Sequence, residues 1–157
     1  MGREPPSCQI VQYYPLAMVT FDFIVDNVFK LSVKHKIWLQ QVIRKEGRIP
    51  GDISYVFCDD AYMLKQNNAF LQHDTYTDII TFDECVGDVV SGSILISLDR
   101  VSENAAKFGK SFENELLRVV VHGTLHLCGY KDKSEDEAKI MRQKEDESLV
   151  LLEGFGL

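Results

Sequence analysis

Residues 119–133 read VVVHGTLHLCGYKDK. The first ten of them lie in a predicted helix over 112–128 that Ser111 caps, with Asn114 where a capping box places Glu or Gln. His122 and His126 are four residues apart, so on a helix they stand about 40° apart around the axis and roughly 6 Å along it. That spacing lets two imidazoles converge on one cation, as on metalloenzyme helices with an H-x-x-x-H pair. Gly129 tolerates the left-handed conformation that stops a helix, so the chain can fold back and bring Asp132 towards the two rings. Two histidines and one aspartate make three ligands and leave the fourth zinc position open, the arrangement of a catalytic rather than a structural site. The alternative is two partly buried histidines hydrogen-bonded within a helix hairpin. A zinc protease helix carries Glu directly after its first histidine; here that position is Gly123, which counts against peptide hydrolysis. The same donor set suits non-haem Fe(II), so oxygenase chemistry stays open at this point.

Outward from this stretch, the sequence mixes strands and helices without regular βαβ alternation. Val19, Phe21 and Phe23 alternate as in a half-buried strand. Ser32 caps a predicted helix to about Glu46, which Gly47, Pro50 and Gly51 end. Ile53 to Cys58 is a β-rich run, and Asp59 or Asp60 then caps a helix through about Leu71. DIITF (78–82) is a further strand, and the apolar continuity of SILIS (93–97) suits a strand covered on both faces. Helices are predicted over 98–108 and 134–152. The expectation is a single α+β domain: a small mixed β-sheet packed against helices, with a metal site at the end of the His-bearing helix. Residues 1–17, with Pro5, Pro6 and Pro15 and no periodicity, are expected to be a dispensable extension to a domain over 18–157.

Composition narrows the class. The chain has 157 residues, 45% hydrophobic and 26% charged, which fits one globular domain and argues against disorder. No apolar run exceeds four residues, too short to span a membrane, and the first residues lack the apolar core of a secretory signal. Cys8, Cys58, Cys85 and Cys128 have no zinc-knuckle spacing and read as free thiols of a reducing, cytoplasmic setting. No Gly-rich phosphate loop, nucleophile elbow or dinucleotide fingerprint is present, so no nucleotide cofactor is expected. The net charge of −7 is concentrated centrally, where Lys65 is the only Lys or Arg among Asp74, Asp78, Asp83, Glu84, Asp88 and Asp99. Local basic faces at either end stay open to nucleic acid.

At HGTLHLCGYKD the sequence closely resembles the signature of the YbeY family, bacterial metal-dependent endoribonucleases of ribosomal RNA maturation and ribosome quality control. The family pattern is His-Gly-x-Leu-His-Leu-x-Gly-Tyr-Asp-His. Residues 76–82, YTDIITF, are similar to the family's Pro-Thr-Asp-Val-Leu-Ser-Phe, and 91–97 to its Gly-Asp-Ile-x-Ile-Ser strand. Met141 and Glu145 fall where the last helix of the family has its Met and Glu. The resemblance covers about residues 19–150. It implies a single-strand-specific endoribonuclease of 16S rRNA processing, with the ribosome or ribosomal proteins as partners. It also implies one Zn²⁺, or another divalent metal, at His122, His126 and Asp132, which are both the metal ligands and the catalytic set.

Three positions depart from that pattern. The third family His falls at Asp132, itself a competent zinc ligand; the family Arg falls at Leu71; the Asp before the Ile-x-Ile-Ser strand falls at Ser93. Leu71 sustains a second reading, a metal-containing ribosome-associated factor that binds RNA or protein with little cleavage, unless His73 or Lys65 supplies the cation. Lys34, Lys36, Arg44, Lys45, Arg48, Lys131 and Lys133 are the expected phosphate contacts. Glu115 and Arg118 read either as outer partners of the metal site or as a helix-surface ion pair. Asp78 reads as a turn residue or a substrate contact, and Trp38 as core.

Overall fold

The alternating run at Val19, Phe21 and Phe23 forms strand β1 (Val19–Phe23), the first element of a computed structural model that describes residues 17–26, 29–71 and 77–155. Helix α1 (Val33–Lys45) follows, capped at Ser32, whose backbone N–H donates to His35 Nδ1 at 3.0 Å. Then come β2 (Ile49–Cys58), α2 (Asp60–Leu71), β3 (Ile79–Asp83), β4 (Val89–Ser97), α3 (Leu98–Phe108), α4 (Phe112–Leu127) and α5 (Glu135–Glu153). The strands form one sheet in the order β1-β2-β4-β3. Both pairings of β2 are parallel, and β3 runs antiparallel to β4. This is the expected α+β architecture.

One boundary differs from expectation. Pro50 and Gly51 do not merely end α1; they lie inside β2, which starts at Ile49. A proline lacks the N–H that a central strand needs, but β1 pairs with β2 only from Ile53 onward, so Pro50 lies beyond the reach of β1. The register towards β4 slips between Pro50 and Ile53. There Gly51 sits so close to Val90 that an added Cβ would stand 2.7 Å from its carbonyl oxygen.

The sheet is covered on both faces, which accounts for the unbroken apolar run of β4. On one face, Trp38, Leu39 and Ile43 of α1 pack with Tyr55, Phe57, Ile94 and Ile96 of the sheet and with Leu116, Val120 and Leu125 of α4. On the other, Met63 of α2 packs on Cys58, Ile80 and Leu95. Trp38 is core, as expected, and its indole N–H donates to the Ser148 carbonyl at 2.7 Å.

Helix α4 is the centre of the molecule, in contact with β3, β4, α1, α3 and α5. Its approach to the sheet depends on Gly123, where a Cβ would meet Ile79 Cδ1 at 2.7 Å and Ile94 Cγ2 at 2.9 Å. The next residue, Thr124, spends its hydroxyl proton on the Val120 carbonyl at 2.9 Å, so the buried Tyr55 hydroxyl donates to Thr124 Oγ1 at 2.6 Å. Gly123 and Thr124 thus lock one side of the helix to the sheet, and His122 and His126 are only partly buried.

Candidate metal centre

The end of α4 shapes the site. Gly129 takes a φ of 106°, its N–H donates to the His126 carbonyl at 3.0 Å, and Tyr130 N–H donates to the Leu125 carbonyl at 3.1 Å. These are the paired bonds of a Schellman stop. The turn returns the Tyr130 carbonyl to within 2.9 Å of His126 Nδ1. It is tied down from outside: Arg48 Nη1 donates to the Cys128 carbonyl at 3.1 Å, and the Tyr130 hydroxyl donates to Glu46 Oε2 at 2.5 Å. Lys144 also pairs with Glu46, at 3.4 Å.

Beyond the turn, Asp132 meets both histidines. His122 Nε2 lies 3.2 Å and His126 Nε2 3.4 Å from the same oxygen, Asp132 Oδ2. The rings are nearly perpendicular, with centroids 4.5 Å apart. One ligand atom from each of the three residues falls within a 4.8 Å cluster. For metal–ligand bonds of about 2.0–2.1 Å, the edge of a tetrahedron is about 3.3–3.4 Å, so both nitrogen–oxygen separations fit ligands of one such ion. The donor chemistry fits as well. Each Nδ1 faces an acceptor, His126 the Tyr130 carbonyl and His122 the Glu145 carboxylate at 3.0 Å, which leaves both Nε2 lone pairs for a cation. Asp132 is 39% exposed against 16% for His122, so the centre opens to solvent on the Asp132 side.

Behind His122 lies a buried charge array. Arg118 forks onto Glu115 through Nε, at 3.0 Å, and Nη2, and its Nη1 donates to Glu145 Oε1 at 2.6 Å. Glu115 and Glu145 are both buried, so Glu115–Arg118 is not the surface pair that its spacing also allowed. Burial raises the Glu145 carboxyl, but bonds from His122 and Arg118 outweigh it and hold the group below the ordinary carboxylate range. The Arg118 guanidinium is held above its usual value by the two carboxylates, against its own burial.

Other expected residues distribute unevenly. Arg48 is spent on the carbonyls of Cys128, Asp88 and Gly87, so its expected phosphate contact gives way to a role in closing the α4 turn. Lys36 lies over the Phe21 ring at 5.9 Å. Lys131 and Lys133 are exposed on either side of Asp132, and Arg44 and Lys45 are exposed at the end of α1. The Asp78 carbonyl accepts the Ser97 N–H at 2.9 Å, a main-chain role at the start of β3. Leu71 is the last residue of α2, Lys65 is exposed on the same helix, Ser93 pairs with Phe82 across the sheet, and His73 lies outside the described residues. Local spacing gives no sign of the Tyr130 carbonyl, which is main chain and carries no residue-type signal, though the Gly129 stop places it.

The sequence pattern of the family described as Endoribonuclease YbeY matches residues 22–153. The chain belongs to the YbeY endoribonuclease family. Among its relatives, the Endoribonuclease YbeY of Flavobacterium johnsoniae is 54% identical over 134 residues, covering 85% of this chain and 96% of that protein. That of Porphyromonas gingivalis is 48% identical over 139 residues, covering 87% and 92%. Among solved structures, the solution structure of TM1509 from Thermotoga maritima superposes with a TM-score of 0.63 at 30% identity, over 87% of this chain and 90% of that one. YbeY membership decides between the chemistries that the donor set alone leaves open. The enzyme is a metal-dependent endoribonuclease, not an oxygenase or a peptidase. The structure adds what a glutamate at Gly123 would meet: its Cβ would press on Ile79 and Ile94 of the sheet, which would have to move apart. Among the described residues, no helix is long and apolar enough to cross a membrane.

Proposed function

We propose that this YbeY chain cleaves single-stranded ribosomal RNA at a zinc ion held by His122, His126 and Asp132. We place it in the cytoplasm, on or near the ribosome. The observation that supports the site is the convergence of both Nε2 atoms on one Asp132 oxygen while both Nδ1 atoms are occupied behind. A bound zinc supplies a Lewis acid for a phosphoryl oxygen and acidifies water at neutral pH. The protein side of the reaction is positional. The Tyr130 carbonyl and the Glu145 carboxylate fix the two imidazoles, so the ligand set needs little reorganisation when the ion and the phosphodiester arrive. Asp132, the most exposed of the three, lies where the substrate enters. Lys131 and Lys133 flank it and draw the RNA backbone to the opening. Residues 1–17 are a dispensable extension in this reading.

Leu71 stands at the position of the family Arg, so the alternative to efficient cleavage is a ribosome-associated factor that binds RNA or protein with little nuclease activity. A single-turnover assay separates the two, using saturating zinc-loaded protein and an end-labelled RNA offered as a single strand or annealed to its complement. The expected result is slow cleavage confined to the single strand, faster in Leu71→Arg. Stoichiometric metal with no cleavage by either protein would establish the binding factor instead.

A further inference from the structure

The two candidate metal ligands are not held alike. His126 Nδ1 faces a main-chain carbonyl that arrives with the helix stop. His122 Nδ1 faces a carboxylate from another helix, Glu145 of α5, at 3.0 Å. That carboxylate is almost inaccessible, with its side chain 3% exposed. Its second oxygen receives Arg118 at 2.6 Å, and Arg142 approaches the same oxygen from the surface at 3.9 Å. The other edge of the Arg118 guanidinium is committed to Glu115. The guanidinium is therefore fixed on both sides, and its one remaining direction aims Glu145 at His122.

A purely structural ion pair between α4 and α5 would need Arg118 and Glu145 alone. Nothing in that role requires the far oxygen of Glu145 to meet an imidazole. A carboxylate only accepts hydrogen bonds, so this contact places the ring proton on Nδ1 and presents the Nε2 lone pair to the site.

Taking the His122 ligand role proposed above as its premise, we propose that Glu145 and Arg118 are positioning residues of the metal centre. Arg118, anchored by Glu115, holds Glu145 against His122 Nδ1, and this fixes both the tautomer and the orientation of the ligating ring.

The test uses the full chain at one pH and salt concentration. Zinc affinity is measured by competition with a chromophoric chelator, and the His122 tautomer is read from ring ¹⁵N shifts of the metal-free protein. Thermal unfolding of each metal-free variant reports stability separately. Glu145→Met and Arg118→Met are each expected to lower zinc affinity by about 10–100-fold, and in Glu145→Met the single Nδ1–H tautomer of His122 is lost. Glu145→Gln keeps the shape and an acceptor oxygen, so it serves where the methionine variants do not fold; its expected loss is about tenfold. Native affinity in a folded Glu145→Gln or Glu145→Met, or an unchanged His122 tautomer in Glu145→Met, overturns the role of Glu145. Native affinity in a folded Arg118→Met overturns that of Arg118. A purely structural role would lower the unfolding temperature and leave both other readouts unmoved. His122→Ala separates the premise from the inference: native zinc affinity there would remove the metal-site reading itself, whereas lost binding there with native binding in the Glu145 variants removes only the positioning role.

Discussion

Gly123 stands beside a metal-ligand candidate, yet its smallness serves packing: its missing Cβ lets α4 settle on Ile79 and Ile94. Gly123→Leu forces those side chains apart, and overpacking of this kind costs about 1–3 kcal/mol; a lowered urea midpoint with an unchanged slope measures it. Cys58 carries a second prediction. It is fully buried under α2, and burial first, then the nearby Asp59, Asp60 and Asp99, push its thiol from an ordinary value of 9.0 up to about 12. A raised folded-state value means that the neutral thiol's contribution is fully present below pH 9 and is lost as pH rises towards 12. The native protein should therefore lose more stability over that window than Cys58→Ala, as denaturant titrations at a series of pH values would show. Parallel losses in the two proteins contradict the assignment. Residue identity alone separates such roles poorly. Arg48 reads as a phosphate contact until its three carbonyl partners are known.

Within elements, the helices that build the site were legible because their signals are local. Ser97, Ser111 and Ser134 each accept a backbone N–H from the first turn of α3, α4 and α5, and glycines at 109 and 129 close α3 and α4 in the left-handed region. The pairing of His122, His126 and Asp132 followed from helix period plus one stop. Strand β2 starts earlier than its sequence suggests, because Pro50 and Gly51 punctuate a sequence regardless of whether a neighbouring strand reaches them. Glu145 had no local signature either: it meets His122 across 23 positions, and only the packing of α5 on α4 brings them together. The α4 stop makes its own prediction. Gly129→Ala places a Cβ at a φ of 106°, a strain of about 1–3 kcal/mol. It also loosens the Tyr130 carbonyl from His126, so zinc affinity should fall along with the unfolding temperature. A variant that loses stability but binds zinc as tightly as the native chain would separate the stop from the site.

For the whole molecule, the α+β class and the central position of the His-bearing helix were readable from the order of elements, while the sheet order was not. Nothing local tells β2 to pair with β4 rather than β3. The edge position of β1 bears on the N-terminal extension. Met18 N–H already donates to Asp52 Oδ1 at 2.8 Å, and Ile53 N–H to the Met18 carbonyl at 3.0 Å. A chain starting at Met18 would place an ammonium beside that carboxylate, and among the described residues it loses the Ala17 carbonyl that accepts from Gln40. It should fold with a circular dichroism spectrum and unfolding temperature close to those of the full chain; failure to fold would make residues 1–17 part of the domain. The net charge of −7 means that RNA attraction must be local, and replacing Lys131 and Lys133 with Ala should weaken single-strand binding and reduce the logarithmic salt slope by about 1.4, roughly 0.7 per lost phosphate contact. The most direct measurement is cleavage of an end-labelled single-stranded RNA by zinc-loaded protein beside His122→Ala prepared identically. Cleavage by the native chain that falls to background in the variant is the predicted result; equal cleavage by both would contradict a reaction centred on His122, His126 and Asp132.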